Sequence, residues 1–420
     1  MAWPANITLQ RLGRALASLV ECLMVLINAI LLPLRWRAGP PARGTPAPLA
    51  AGGSGREGQV GRHHNTAPPE RPRGKERFLR EHGDVYGYGG RIDAMRDEDF
   101  PHIKGQAYLD HAGATLYSAS QMRAVMGDLT SALVCNPHST DGSGAANPCD
   151  VDGARRDVLR FLNASPDEYT VVFTSGATAA LRLVGEAFPW GEGSRYWYTE
   201  QNHNSVLGIR EDALHAGASA AAVRVAPTPG TGAAQWAVDA VHGEAPGWGR
   251  PAAGAAGHSL FAYPLECNFS GARFDPALAV QAGRGEGLPD GRWWTLLDAA
   301  KASATAPPNL SAHPVDFTVL SFYKVFGYPS GLGALVARKE AAGLLLRHKR
   351  YFGGGTVQVS LSTEPYAVRR PGPAGLEDGT LPFLAIAALR HGFSALGRLG
   401  GMDRVAAHAG ALARHAAAEL

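Results

Sequence analysis

The sequence predicts an α/β protein with a doubly wound, mostly parallel sheet and helices on both faces. Two observations predict it. Strand-length apolar runs alternate with helical segments through the middle of the chain. Several of those runs, such as FTVLSF and GALVAR, are apolar almost throughout, the pattern of strands covered on both faces. The clearest unit is EYTVVFT, a β-branched and aromatic run, followed at once by the turn SGAT and the helical segment AALRLVGEAFPW. Further strands read as RYWYTE, AAVRVAP, HSLFAYP, WWTLLD, FTVLSF and GALVAR, and their alternation with helices gives the fold class.

Before the first strand the chain changes character twice. Residues 15–34 form a twenty-residue apolar stretch broken by Glu21, Asn28 and Pro33 and flanked by Arg11, Arg14, Arg35 and Arg37. That length reaches across a bilayer. Three readings stay open: a membrane anchor, a cleaved signal and a misassigned first exon. Residues 35–75 carry seven Pro, eight Gly and eight basic residues against two acidic ones, the composition of a disordered linker. From residue 76, RFLREHGDVYGYGG predicts a short helix and turn, and QAYLDHAG a strand entering a loop. Residues 227–257, rich in Pro, Gly and Ala, read as a surface insertion without chemistry. After residue 375, LPFLAIAALRHGFSALGRLGG and RVAAHAGALARHAAAEL predict two amphipathic helices. Composition thus sets residues 1–75 apart from a folded part that starts at about residue 76.

Composition narrows the function. With 420 residues, 45% hydrophobic and 18% charged, the chain has ample material for a core, and wholesale disorder, collagen and a disulfide-stapled mini-protein are excluded. The net charge is +3 and the 40 basic residues are dispersed, so nucleic acid is not an expected partner. Cys22, Cys135, Cys149 and Cys267 include no Cys-x-x-Cys pair and have no nearby His pair at zinc spacing. A reducing compartment and no metal site are expected. Only six lysines are present, Lys75, Lys104, Lys301, Lys324, Lys339 and Lys349, which shortens the list of candidate amine nucleophiles.

Parallel sheets hold ligands beyond the carboxyl ends of their strands, so the residues after each strand come first. After EYTVVFT, the turn Thr174-Ser175-Gly176-Ala177-Thr178 opens a helix whose free amides suit a phosphate. Taken alone, an ordinary N-cap is the better explanation, because Ser and Thr lead at N-caps everywhere. No Gly-x-x-x-x-Gly-Lys-[Ser/Thr] or Gly-x-Gly-x-x-Gly supports a nucleotide. After RYWYTE, His203 is placed to stack on a flat cofactor or to shuttle a proton, or is simply a surface-loop histidine. After WWTLL, Asp298 leaves an apolar strand and needs a cationic partner. A protonated ring nitrogen, such as that of pyridoxal phosphate (PLP), serves; so does Lys301, and an N-cap role is the plainest alternative. After FTVLSF, Lys324 stands among Phe322, Tyr323 and Phe326, surroundings that favour the neutral amine of a Schiff-base lysine. Snorkelling to solvent is the alternative. The order phosphate turn, His, Asp, Lys, each at a strand end, discriminates better than any one of them.

These residues resemble the fold-type I PLP enzymes of the class V aminotransferase and cysteine desulfurase group. The segments YLDHAGATLYS, NPHS, FTSGATAALRLVGEAFPW, TEQNHNSVLGIRE, SFYKVFGYPSGLGALVAR, YFGGGTV and LEDGTLPFLAIAALRHGF resemble more narrowly the desulfurase domain of the molybdenum cofactor sulfurase family, over roughly residues 80–415. The resemblance implies Lys324 as the Schiff-base lysine, Asp298 as the partner of the pyridine nitrogen and His203 as the stacked imidazole. Ala177, Thr178 and Ser321 would contact the phosphate, with Tyr323 nearby, and Lys301 would face the phenolic oxygen where simpler desulfurases carry glutamine. Gly353-Gly354-Gly355-Thr356 would reach the phosphate of the other subunit, so Gly355 and Thr356 belong to a shared site in a homodimer.

The implied reaction takes sulfur from L-cysteine, leaving alanine, and delivers it through a cysteine persulfide to molybdenum cofactor held by a C-terminal domain. In that family the persulfide cysteine, the arginine for the substrate carboxylate and the molybdenum-cofactor domain lie beyond residue 420. None of the four cysteines matches the acceptor, and Cys135 reads as a buried small hydrophobe. The chain is therefore expected to be a fragment of a cytosolic protein, with residues 1–75 foreign to the family. The alternatives are another class V PLP enzyme, such as an iron-sulfur cysteine desulfurase, cysteine lyase or kynureninase-like hydrolase, and a non-catalytic membrane-tethered remnant.

Overall fold

The computed structural model describes residues 74–137, 150–227, 236–247 and 257–419. The apolar stretch 15–34, nearly all of the expected linker, Cys22, His138 and Cys149 lie outside the described residues. Among the described residues, no helix is long and apolar enough to cross a membrane.

Eight strands form the central sheet: β1 (Tyr169–Thr174), β2 (Arg195–Thr199), β3 (Ser219–Pro227), β4 (Trp236–Ala245), β5 (His258–Pro264), β6 (Arg292–Asp298), β7 (Phe317–Ser321) and β8 (Gly333–Arg338). Their order is β1-β8-β7-β6-β5-β2-β3-β4. The pairs β3/β2, β2/β5, β5/β6 and β6/β7 are parallel, while β8 runs against both β7 and β1, and β4 against β3. All the predicted strands of this sheet are present.

Alternation along the strands fills two cores. Phe261, Tyr263, Trp293, Leu297 and Val336 face one side, packed with the helices Val151–Phe161, Ala277–Gly283 and Phe383–Leu399. Leu260, Ala262, Trp294, Leu296 and Leu335 face the other, packed with helices Ala177–Ala187, Ile209–His215 and Lys339–His348. Adjacent residues Trp293 and Trp294 thus serve opposite layers, as the two-residue repeat of a strand requires. Edge strand β1 is closed by side chains. Glu377, buried, accepts from Phe173 N–H at 2.8 Å, and Arg155 donates to Val171 O at 3.1 Å while pairing with Glu377 at 2.6 Å. These contacts satisfy backbone groups that otherwise invite another strand.

Two sequence expectations change. Residues 106–113 are not a strand: Gly113 N–H donates to Asp110 Oδ1 at 3.1 Å and Tyr108 Oη donates to Ala114 O at 2.8 Å, so side chains draw the segment into a turn. The insertion 227–257 is not loop throughout, because Trp236–Ala245 forms β4. Trp236, Val238 and Ala240 are half-buried and Ala237, Asp239 and Val241 exposed, an alternation that the surrounding Gly, Pro and Ala obscured.

The N-terminal helix Gly74–His82 and the two predicted C-terminal helices, Phe383–Leu399 and Met402–Glu419, are present. Phe78 packs against His415, and Tyr86 stacks on His408, bringing the two ends of the described chain together.

Candidate active site

Strands β1, β2, β5, β6 and β7 all point their carboxyl ends at one cavity of about 400 Å³. Each strand supplies the residues just past its carboxyl end. After β1, Gly176 takes φ +147° and opens helix Ala177–Ala187, which buries Ala177, Ala180, Leu181, Val184 and Ala187 on the sheet. This helical spacing leaves the first turn facing the cavity, which Gly176, Ala177, Thr178 and Ala179 line. Ser321, at the end of β7, accepts from Ala177 N–H through its hydroxyl at 2.9 Å. Gly333 pairs with both Thr174 and Ser321. A Cβ there would lie 2.6 Å from Gly176 Cα and 2.5 Å from Leu320 O, so only glycine lets these strands and the turn meet.

After β2, His203 caps the short helix Asn204–Leu207, its Nδ1 accepting from Ser205 N–H at 3.2 Å. The Ser205 hydroxyl lies 3.1 Å from the same nitrogen and 2.9 Å from Thr178 Oγ1, joining imidazole to phosphate turn. His203 is exposed on the cavity rim.

After β6, Asp298 is buried, with Oδ1 accepting from Ala300 N–H at 3.0 Å. Burial raises its pKa; the Ala300 amide and the charges of His203 and Lys324 oppose the rise. The bond from Ala300 closes a local turn; the N-cap role is not taken, because the short helix that follows, Ala302–Ala304, starts from Lys301. The alternative pairing with Lys301 is not made: Lys301 Nζ donates instead to Glu266 Oε1 at 2.5 Å. Among the described residues, no cationic side chain lies within ion-pair distance of Asp298.

After β7, the short helix Phe322–Phe326 turns Phe322, Val325 and Phe326 into the core and Tyr323 and Lys324 toward the cavity. Thr115 grips this helix twice, its N–H donating to Tyr323 O at 3.3 Å and its Oγ1 to Lys324 O at 2.6 Å. Burial lowers the Lys324 pKa, opposed by Asp298 and Asp110 and helped by Lys301. The sequence expectation of an aromatic surround is corrected here, since Phe322 and Phe326 lie in the core beneath the helix. Lys324 Nζ reaches Asn268 Oδ1 at 3.4 Å.

Ala177, Thr178, His203, Asp298, Lys301, Ser321, Tyr323 and Lys324 thus line one cavity. Gly355 and Thr356 do not line it; Thr356 is buried and donates through Oγ1 to Gly353 O at 2.7 Å. Pro264, Glu266, Asn268 and Arg182 line it without having been singled out from sequence. The first three stand at or just after the end of β5, where the strand-end rule applied to the other strands would have found them. Cys267 is buried and Cys135 half-buried rather than enclosed.

The aminotransferase class-V family model matches residues 107–237 and 286–420. A molybdenum cofactor sulfurase of Oryza sativa subsp. japonica is 47% identical over 340 residues, covering 76% of this chain and 41% of that protein. The chain thus spans less than half the length of the curated relatives it matches. Among solved structures, the cysteine desulfurase CsdA of Escherichia coli superimposes with a TM-score of 0.56 at 18% identity, covering 76% of this chain and 74% of that one. A variant of C-DES with glycine covalently linked to its PLP cofactor gives 0.53 at 17% identity, covering 73% and 75%. These likenesses show the fold alone, an α/β architecture with a mostly parallel sheet. With the family model matched over more than half of its length, the chain belongs to the aminotransferase class-V family.

Proposed function

We propose that this chain is the PLP-dependent cysteine desulfurase domain of a molybdenum cofactor sulfurase, taking sulfur from L-cysteine for the sulfido ligand of that cofactor. The observation that carries the reading is that an amine, Lys324, and a buried carboxylate without a cationic partner, Asp298, open on one cavity whose rim is a helix N-terminus. The donor set fits PLP group by group. A pyridinium nitrogen supplies the cation that Asp298 lacks, the first-turn amides with the hydroxyls of Thr178 and Ser321 suit a phosphate, and Lys301 offers a cation to a phenolate.

Bound PLP supplies an electron sink for bonds at the substrate Cα. Lys324 would hold the cofactor aldehyde through its amine and, as a free base, would take and return a proton at the substrate Cα. Asp298 would hold positive charge on the ring nitrogen. His203 presents a flat face fixed through Nδ1 by Ser205. The depressed Lys324 pKa raises the fraction of free base available for both tasks.

The same reading assigns Gly355 and Thr356 to the phosphate site of a second copy in a homodimer, residues 76–375 to the cofactor-binding domain and residues 376–420 to the start of a smaller one, in a cytoplasmic protein. Titration with PLP and then L-cysteine, monitored in the visible spectrum, tests it. PLP gives a band absent from Lys324→Ala, and L-cysteine shifts that band at lower concentration than L-serine or L-kynurenine. A band indifferent to cysteine would remove the substrate assignment; no band would remove the cofactor.

A further inference from the structure

The cavity contains two lysines, Lys301 and Lys324. An amine condenses with an aldehyde only as the free base, so a site that uses one lysine has to keep the other engaged. The loop after β5 does this. Glu266 Oε1 accepts from Lys301 Nζ at 2.5 Å, and Oε2 accepts from Arg273 Nε and Nη2 at 3.0 and 2.9 Å. The Glu266 side chain is 11% exposed and that of Lys301 22%, so this ion pair is shielded where surface pairs are not. Two residues on, Asn268 offers Lys324 a neutral acceptor at 3.4 Å, which does not oblige the amine to stay charged.

The loop that carries these groups is stiff. Leu265 N–H donates to Asp298 O at 2.9 Å, tying it to β6, and Cys267 N–H donates to Ala272 O at 2.8 Å. Cys267 Sγ accepts from Ser270 N–H at 3.4 Å, and Glu266 and Arg273 form an antiparallel bridge. Glu266 is therefore delivered to Lys301 by backbone geometry rather than by a mobile side chain alone.

We propose that Glu266 sorts the two lysines, committing Lys301 to an ion pair and leaving Lys324 as the amine that condenses with the cofactor aldehyde. The inference rests on the function proposed above. Glu266 is a positioning residue, acting through Lys301. Its second effect is indirect: the Lys301 charge it retains in the cavity helps to hold the Lys324 pKa down. In the condensation, the amine lone pair adds to the carbonyl carbon and the carbonyl oxygen leaves as water, forming a C=N bond. Borohydride then adds hydride to that carbon and solvent supplies a proton to nitrogen, leaving a stable C–N bond.

The full chain is loaded with PLP, reduced with borohydride, digested and mapped by mass spectrometry, which reads the site of attachment independently of turnover. Wild type carries the label on Lys324. In Glu266→Gln, Lys301 loses its anionic partner, and the ratio of Lys301 to Lys324 label rises severalfold. Glu266→Asp retains the charge but shortens its reach, so the ratio rises by a smaller factor and gives the answer if the glutamine variant does not fold. Label on Lys324 in wild type with an unchanged ratio in the folded variants overturns the sorting role alone. Wild-type label on another lysine, or none, overturns the functional reading beneath it.

Discussion

The carboxylate of Asp298 and the amine of Lys324 stand at the ends of neighbouring parallel strands and open on the same cavity. Burial raises the pKa of the first and lowers that of the second, and each opposes the shift of the other. Both groups are thus biased toward neutrality, the carboxylate lacking a cation and the amine freed toward nucleophilic form. A ligand with a cationic nitrogen at one end and an aldehyde at the other relieves both conditions.

Asp298→Asn separates the cost of that arrangement from its use. A carboxyl whose folded pKa is raised contributes stability that is complete below its unfolded pKa and lost as pH rises through the folded one. The cofactor-free variant therefore gains stability relative to wild type as pH rises above the ordinary carboxylate range. Thermal unfolding of both proteins over that rise in pH measures it. A difference in Tm independent of pH contradicts the buried, unpaired carboxylate. PLP is expected to stabilise wild type more than the variant.

Lys301→Met moves the titration of Lys324 upward. The Lys301 charge favours the neutral form of Lys324, so its removal, which also leaves Glu266 paired with Arg273 alone, raises the proton affinity of the remaining amine. The pH midpoint for covalent modification of Lys324 in the cofactor-free protein, depressed in wild type, shifts toward the ordinary lysine value. A midpoint that stays or falls excludes electrostatic contact between the two amines.

Gly333→Ala tests whether the phosphate turn depends on backbone approach. The new Cβ meets backbone on both sides, at 2.5 Å from Leu320 O and 2.6 Å from Gly176 Cα, with no flexible side chain to yield. A loss of about 1–3 kcal/mol in denaturant unfolding is expected. Weaker PLP binding accompanies it, because Gly176 opens the helix that lines the cavity. Unchanged PLP affinity would detach the turn from the cofactor.

Ser205→Ala cuts the hydroxyl link between Thr178 and His203 while leaving the Ser205 amide on Nδ1. Loss of one such bond, about 0.5–1.5 kcal/mol, weakens PLP binding several-fold. Ser205→Thr, which keeps a hydroxyl, restores it. Equal affinities of alanine variant and wild type, measured by equilibrium dialysis, would reduce Ser205 to a local cap.

The legible parts of this protein were those written in short-range pattern. The apolar runs of β5 to β8 identify strands covered on both faces because nothing but burial explains so few polar residues there. Lys324, Asp298 and His203 were reachable because each lies at or just past the end of such a run. Glu266 and Asn268 obey the same rule after HSLFAYP, but their importance lies in pairing with Lys301 and Lys324, 35 and 56 residues away, and that pairing has no local signature. β4 escaped because its pairing with β3 compensates for a composition that locally favours loop. The turn at Asp110 escaped for the opposite reason, a side-chain bond to Gly113 prevailing over a strand-like apolar pattern.

A crystal structure of the protein grown with PLP tests the central claim most directly. The account predicts continuous density from Lys324 Nζ to the cofactor's aldehyde carbon, the ring nitrogen within hydrogen-bond distance of Asp298, and the phosphate against the first turn of helix Ala177–Ala187. Cofactor attached elsewhere, or bound with its ring nitrogen turned away from Asp298, would contradict it.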